Sequence, residues 1–257
     1  MNIQINKILQ YIIIITFYSL FSFTEKCFAH NDSIRIKDKT EFRPTQLILP
    51  ASLIAIGSLG LWDGAIKDCN ECVNERMNKW RGDNYYHADD YLQYAPAVAY
   101  VGLDFLGAKA RHSFKERVAI TATSWLSLGI LVNGMKYTIR EKRPDSNARN
   151  SFPSGHTATV FMGAELVRSE YGTGWGIGAY TIACGVGFLR LWNNRHWMTD
   201  VIAGAGVGIL SARIGYWMLP LYRKWFKWDN TYNNMVVAIP FYDRNNKALG
   251  IGLSASL

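Results

Sequence analysis

The feature that most restricts this chain is segregation: long apolar stretches alternate with short runs of charge. Apolar residues make up 49% of the 257, a share that soluble domains also reach, so the pattern decides and not the total. Six stretches, about 45–66, 91–110, 117–136, 155–171, 174–191 and 197–221, have the apolar length of helices that cross a bilayer. Small residues recur in them at close spacing, as in Ala203-Gly204-Ala205-Gly206-Val207-Gly208, and such residues let membrane helices approach closely. The pattern predicts an all-α fold, a polytopic transmembrane helix bundle of about six spans. Asp104 and Glu165 fall inside spans and are expected to face the bundle interior.

The two ends differ from this middle. Residues 1–29 hold Lys7, an apolar run from Ile8 to Phe23 and the small-residue pattern Cys27-Phe28-Ala29, as in a secretory signal peptide; an uncleaved N-terminal anchor is the alternative. Residues 30–227 form the main domain. In the tail, 228–257, the alternation over Met235 to Pro240 and Leu249 to Leu257 around Asn245-Asn246 predicts a short C-terminal β-hairpin. The formal charge of +8 sits at the ends of apolar segments, where it meets lipid headgroups, so the expected partner is a membrane and not nucleic acid. Of the four cysteines, Cys27 is in the leader and Cys184 in a span. Cys69 and Cys72 form one C-x-x-C in the loop 67–90, too few ligands for structural zinc; whether they pair depends on the compartment.

Three clusters between 136 and 200 carry residue types that bind or transfer a phosphoryl group. In the first, Lys136 ends a span and Arg143 precedes Pro144, a point charge and a bidentate fork for phosphate oxygens; alone, this is an ordinary membrane anchor. In the second, Phe152-Pro153-Ser154-Gly155-His156, Ser154 is positioned to cap the next helix. The N–H groups of Ser154, Gly155 and His156 then face an anion, with an imidazole beside it. In the third, Arg190 closes one helix and His196 opens the next, with Asp200 four residues on, a spacing that lets the carboxylate orient the imidazole.

Together these clusters resemble the signature of the type 2 phosphatidic acid phosphatase (PAP2) superfamily, K-x6-R-P, then P-S-G-H, then S-R-x5-H-x3-D. Lys136, Arg143 and Pro144 match the first element, Pro153 to His156 the second, and Arg190, His196 and Asp200 the third. Leu189 stands where the family usually has serine, which implies one lost hydrogen bond to phosphate. The resemblance implies that His196 attacks phosphorus, Asp200 orients it and His156 protonates the leaving group. Lys136, Arg143, Ser154, Gly155 and Arg190 then hold the phosphate, with no metal and no cofactor. It makes the chain resemble bacterial lipid A and lipid-phosphate phosphatases, with a phosphorylated lipid as substrate. Competing readings are a soluble periplasmic acid phosphatase of the same superfamily, a vanadium haloperoxidase and a non-catalytic membrane scaffold.

If the six spans alternate, the loops 67–90, 137–154 and 192–196 share one side and bring every candidate residue together. Lys109, Arg111, Lys115, Arg117, Arg223, Lys224 and Lys227 lie on the other, which the positive-inside tendency makes cytoplasmic. The expected placement is a bacterial inner membrane with the site facing the periplasm. A cleaved leader and then six complete crossings contradict this, so either the leader does not translocate the segment after it or one early span, such as 91–110, is not a crossing.

Overall fold

The computed structural model describes residue 40, residues 42–228 and the segments 236–243 and 248–255; the leader lies outside the described residues. The helices are α1 (Thr45–Ser58, continuing as a 3-10 turn over Leu59–Leu61), α2 (Ala65–Arg81), α3 (Ala88–Leu92), α4 (Ala95–Gly102, continuing as Leu103–Leu106), α5 (Phe114–Ile139), α6 (Gly155–Tyr171), α7 (Thr173–Trp192) and α8 (Met198–Trp225).

Helix ends follow local chemistry. Ser113 opens α5 with a capping box: its hydroxyl accepts from Glu116 N, and the Glu116 carboxylate accepts from Ser113 N. Arg140, at φ 55°, turns the chain out of α5. Gly172, at φ 92°, makes the tight break between α6 and α7, a conformation glycine adopts without a Cβ penalty.

Among the described residues two helices, α5 and α8, are each long and apolar enough to cross a membrane, and α1 with α2 forms a third such unit bent by 86°. The 26-residue α5 lies at the edge, exposing Val118, Leu126, Ile130 and Tyr137. In contrast, α6 and α8 are mostly buried. Close approach to α8 depends on its glycines: a Cβ on Gly204 would come within 2.6 Å of Ser154 O, and one on Gly206 within 2.7 Å of Pro50 O.

The expectations for two segments change. The stretch 91–110 is not one helix but α3, α4 and a 3-10 turn, because the chain turns at Gln93-Tyr94 before Pro96 and leaves the 3-10 turn at Gly107, φ 90°. It still travels the length of the bundle, with Asp90 beside His156 and Asp104 beside Arg117, which opens α5. The loop 67–90 is largely the helix α2, on which Cys69 and Cys72 are exposed free thiols.

Of the two acids expected to face the bundle interior, Glu165 is buried. Asp104 is not: it lies on the 3-10 turn with its side chain 44% exposed and pairs with Arg117 at 2.5 Å. Contacts divide the chain into two units, Met1–Pro220 and Leu221–Leu257. In the second, β1 (Val236–Asp243) pairs antiparallel with β2 (Ala248–Ala255), Val236 opposite Ala255 and Asp243 opposite Ala248.

Candidate active site

The C-terminal ends of α5 and α7 and the N-terminal ends of α6 and α8 carry the candidate residues. Lys136 Nζ donates to Asn150 O at 2.5 Å, and Arg143 Nε to Asn150 Oδ1 at 2.7 Å. The two cations thus grip one residue through neutral oxygens. The next residue, Ser151, is fully buried and donates its hydroxyl to Asp200 Oδ2 at 2.5 Å, and Ser151 Oγ lies 3.4 Å from His196 Nδ1.

Helical spacing suggested a direct His196–Asp200 pair on one helix face. Instead His196 precedes α8, its Nδ1 is 3.6 Å from Asp200 Oδ2, and that oxygen accepts from Ser151 and from Trp197 N at 3.0 Å. The His196 ring is 2% exposed. Burial first, then the Arg190 and Arg143 charges, pull its pKa down to about 4, against the nearby Asp200 carboxylate. The buried ring is therefore a neutral imidazole with Nδ1 turned toward Ser151 and Asp200, leaving Nε2 as its other nitrogen.

Ser154 stands at the N-cap of α6 but makes no side-chain cap bond there. Its hydroxyl accepts from Thr157 Oγ1 at 2.9 Å and its N–H donates to Asp200 O at 3.0 Å, so it fastens α6 to α8. The first bond of α6 runs from Ala158 N to Ser154 O, and the N–H groups of Gly155 and His156 come before it, where a helix offers donors to an anion.

Arg190 is 95% covered and held by Asp89 Oδ2, with Asp90 Oδ1 at 3.6 Å. That Asp90 oxygen also lies 3.0 Å from His156 Nε2. The Arg190 charge reaches both imidazoles. Among the described residues, Arg190 Nε and Asp200 Oδ1 are buried without a hydrogen-bond partner. Of the two, Arg190 Nε is a donor suited to a phosphate oxygen, whereas Asp200 Oδ1 is an acceptor.

The His196 loop is held from outside by α2. Asn70 Nδ2 donates to Thr199 Oγ1 (2.7 Å) while Thr199 N donates back to Asn70 Oδ1 (3.2 Å), and Asn74 Nδ2 donates to Asn194 Oδ1 (2.5 Å). Asn194 itself has φ 59°, which turns the chain between Arg190 and His196. Trp197 Nε1 donates to Lys142 O, and Arg195 pairs with Asp145 at 2.9 Å, so Arg195 is committed within the protein.

All eight candidates, Lys136, Arg143, Ser154, Gly155, His156, Arg190, His196 and Asp200, thus meet at one end of the bundle. Sequence reasoning missed Ser151, Asn150, Asp89 and Asp90. Ser151 was detectable as a hydroxyl two residues before Pro153, and the Asp89-Asp90 pair as adjacent acids in a segment facing the basic motif. Among the described residues no group of three or more His, Cys, Asp or Glu is arranged to hold a metal ion.

Residues 117–224 match the model of the PAP2 superfamily. The chain is 34% identical over 197 residues to a lipid A 1-phosphatase of Porphyromonas gingivalis, covering 71% of this chain and 44% of that protein. It is 40% identical over 72 residues to the bacitracin transport permease protein BcrC of Bacillus licheniformis, covering 28% of this chain and 34% of that protein. The chain thus spans less than half the length of the curated relatives it matches. The fold is similar to the crystal structure of a transmembrane PAP2 type phosphatidylglycerolphosphate phosphatase from Bacillus subtilis, with TM-score 0.51 and 18% identity, covering 71% of this chain and 98% of that one. Residues 117–224, less than half of the chain, are thus similar to the PAP2 superfamily, and the helical fold is similar to that of a transmembrane PAP2 type phosphatase.

Proposed function

We propose that this protein is a membrane-embedded lipid-phosphate phosphatase that hydrolyses a phosphomonoester such as the 1-phosphate of lipid A through a phosphohistidine. The observation that carries this reading is the buried His196 with Nδ1 against Ser151 and Asp200, at the same end of the bundle as Lys136 and Arg190 from two other helix ends and Arg143 from the loop after α5. The lipid A 1-phosphatase relative supports the choice of lipid.

In this mechanism His196 Nε2 attacks phosphorus while the bond to the leaving oxygen breaks. Ser151 and Asp200 stabilise the positive charge that develops on the ring. His156 gives a proton to the departing oxygen. Water then attacks the phosphohistidine, His156 takes the water's proton, and His196 leaves as a neutral imidazole. Lys136, Arg143, Arg190 and the N–H groups at Gly155 neutralise the phosphoryl oxygens, which is the main demand of phosphoryl transfer. No metal enters these steps.

We read residues 30–227 as the catalytic membrane unit, crossing the bilayer about six times, and 228–257 as a hairpin appendage. The site then faces the periplasm from the inner membrane, with Lys109, Arg111, Lys115, Arg223 and Lys224 at the cytoplasmic end. The test is phosphate release by the purified protein from lipid A 1-phosphate, undecaprenyl pyrophosphate, phosphatidic acid and phosphatidylglycerophosphate, with His196→Ala as control. Release from lipid A that the variant lacks is the expected result. Activity confined to small soluble esters, or surviving in the variant, would overturn the reading.

A further inference from the structure

Two adjacent aspartates on the five-residue α3 divide between Arg190 and His156. Asp89, 1% exposed, is the inner one and anchors Arg190. Asp90, half-exposed at the rim, reaches His156 Nε2 at 3.0 Å and stays 3.6 Å from Arg190 Nη1. The charged groups facing His156 are thus Asp89 and Asp90 from α3 and Arg190 from α7. The phosphatase mechanism gives His156 a proton to donate, yet burial and then the Arg190 charge disfavour the imidazolium. A carboxylate at hydrogen-bond distance has the opposite effect, and of the two aspartates only Asp90 makes that bond.

Resting on the phosphatase reading, we propose that Asp90 is the positioning residue of the general acid: its carboxylate accepts Nε2–H of His156, fixes the ring, and leaves Nδ1 to carry the transferable proton. During the first step Nδ1–H passes its proton to the leaving oxygen as the P–O bond breaks. His156 becomes a neutral imidazole that keeps Nε2–H on Asp90. In the second step Nδ1 takes the proton of the attacking water, which restores the imidazolium. Asp90 neither gains nor loses a proton in the cycle. An Asp–His pair of this kind is the usual means of selecting a tautomer and stabilising the charged ring.

The test compares wild type, Asp90→Asn and Asp90→Glu on two substrates, a lipid phosphomonoester with an alkyl leaving group and p-nitrophenyl phosphate, whose leaving group needs little protonation. Because acid catalysis matters most for the poorer leaving group, Asp90→Asn is expected to lower kcat on the lipid at least about 10-fold more than on the aryl ester. KM should stay within about 3-fold, and Asp90→Glu should recover part of the loss. A second arm needs no turnover. In protein labelled with ¹⁵N-histidine, with His156→Gln to assign the signal, the His156 imidazolium should persist to a pH about one unit higher in wild type than in Asp90→Asn. Equal losses on both esters with an unmoved titration would overturn the proposal, leaving Asp90 a structural residue. Tighter binding of inorganic phosphate with faster turnover in Asp90→Asn would also overturn it, making Asp90 a competitor of substrate. If wild type releases no phosphate from any ester, the phosphatase reading fails, and the titration alone decides whether Asp90 holds the proton on His156.

Discussion

The two ends of α6 are built from the same materials and finished differently. At the C-terminal end Glu165 is buried and both of its oxygens are used: Arg168 takes one with Nε and the other with Nη2, both at 2.6 Å, while Tyr180 donates at 2.7 Å and Arg213 Nε at 3.0 Å. Glu170, one turn on, is as complete, accepting from His112 N, His112 Nδ1 and Tyr216. At the N-terminal end Asp200 uses one oxygen and leaves Oδ1 without a partner, Arg190 leaves Nε without one, and Lys136 and Arg143 donate to neutral oxygens. The closed carboxylates hold helices together; at the other end the cations Lys136, Arg143 and Arg190 keep N–H donors for a ligand.

The sharpest way to break this comparison is at the open end. His196→Gln keeps a polar side chain of similar size but removes the nucleophile, so phosphate release should fall by about 10³-fold or more, while thermal unfolding in detergent shifts little. At the closed end the balance reverses. Glu165→Ala leaves Arg168 and Arg213 facing a buried vacancy and should cost about 3–5 kcal/mol of stability, read as a lower unfolding midpoint, with kcat per folded molecule largely retained. If Glu165→Ala instead abolished turnover in folded protein, the division between the two ends would be lost.

Ser151 refines the picture of the open end. Its hydroxyl stands between Asp200 and His196, so Ser151→Ala should lower kcat by about 10–100-fold, the range expected when a hydrogen bond to a charged group is removed. Gly204→Ala tests the backbone beneath it. The added methyl would press on Ser154 O, and overpacking there should cost about 1–3 kcal/mol while moving the α6 N-terminus that presents His156.

How much of this was legible in the sequence depends on the kind of signal. Motif residues at helix ends were legible because their chemistry and the apolar helices that carry them both leave marks in the chain: Lys136, His156, Arg190 and His196 converge as the spacing predicts. Partners from outside the motif were not. Asp90 meets His156 across 66 positions, and Asn70 meets Thr199 across 129, contacts that no local pattern encodes. Periodicity also misjudged the stretch before α5, because a short apolar run gives the same signal whether it forms one helix or, as at Gln93 to Gly102, pieces broken by a turn. The His196–Asp200 spacing was read as a helix face, yet the positive φ of Asn194 sends the chain into α8 only after His196.

The smallest expected effect concerns the charge of the nucleophile. The His196 pKa is depressed from the ordinary 6.5 to about 4, so in the free protein the ring is neutral from pH 5 to 8 and becomes protonated only as the pH falls through about 4. Protonation removes the lone pair that attacks phosphorus, so any loss of reactivity from this residue lies on the acid side of that value and none on the alkaline side. Substrate phosphate has its own ionisation near pH 6, which would mask the effect in a rate profile. A direct ¹⁵N-histidine titration, assigned with His196→Gln, avoids the problem. Arg143→Gln removes one of the two cations that oppose ring protonation, and the midpoint should rise by a few tenths of a unit (~0.3–0.5) without reaching 6.5, because burial is the larger cause and remains. A wild-type midpoint near 6.5 would mean that water reaches the ring, and the open end would then be open to solvent as well as to ligand.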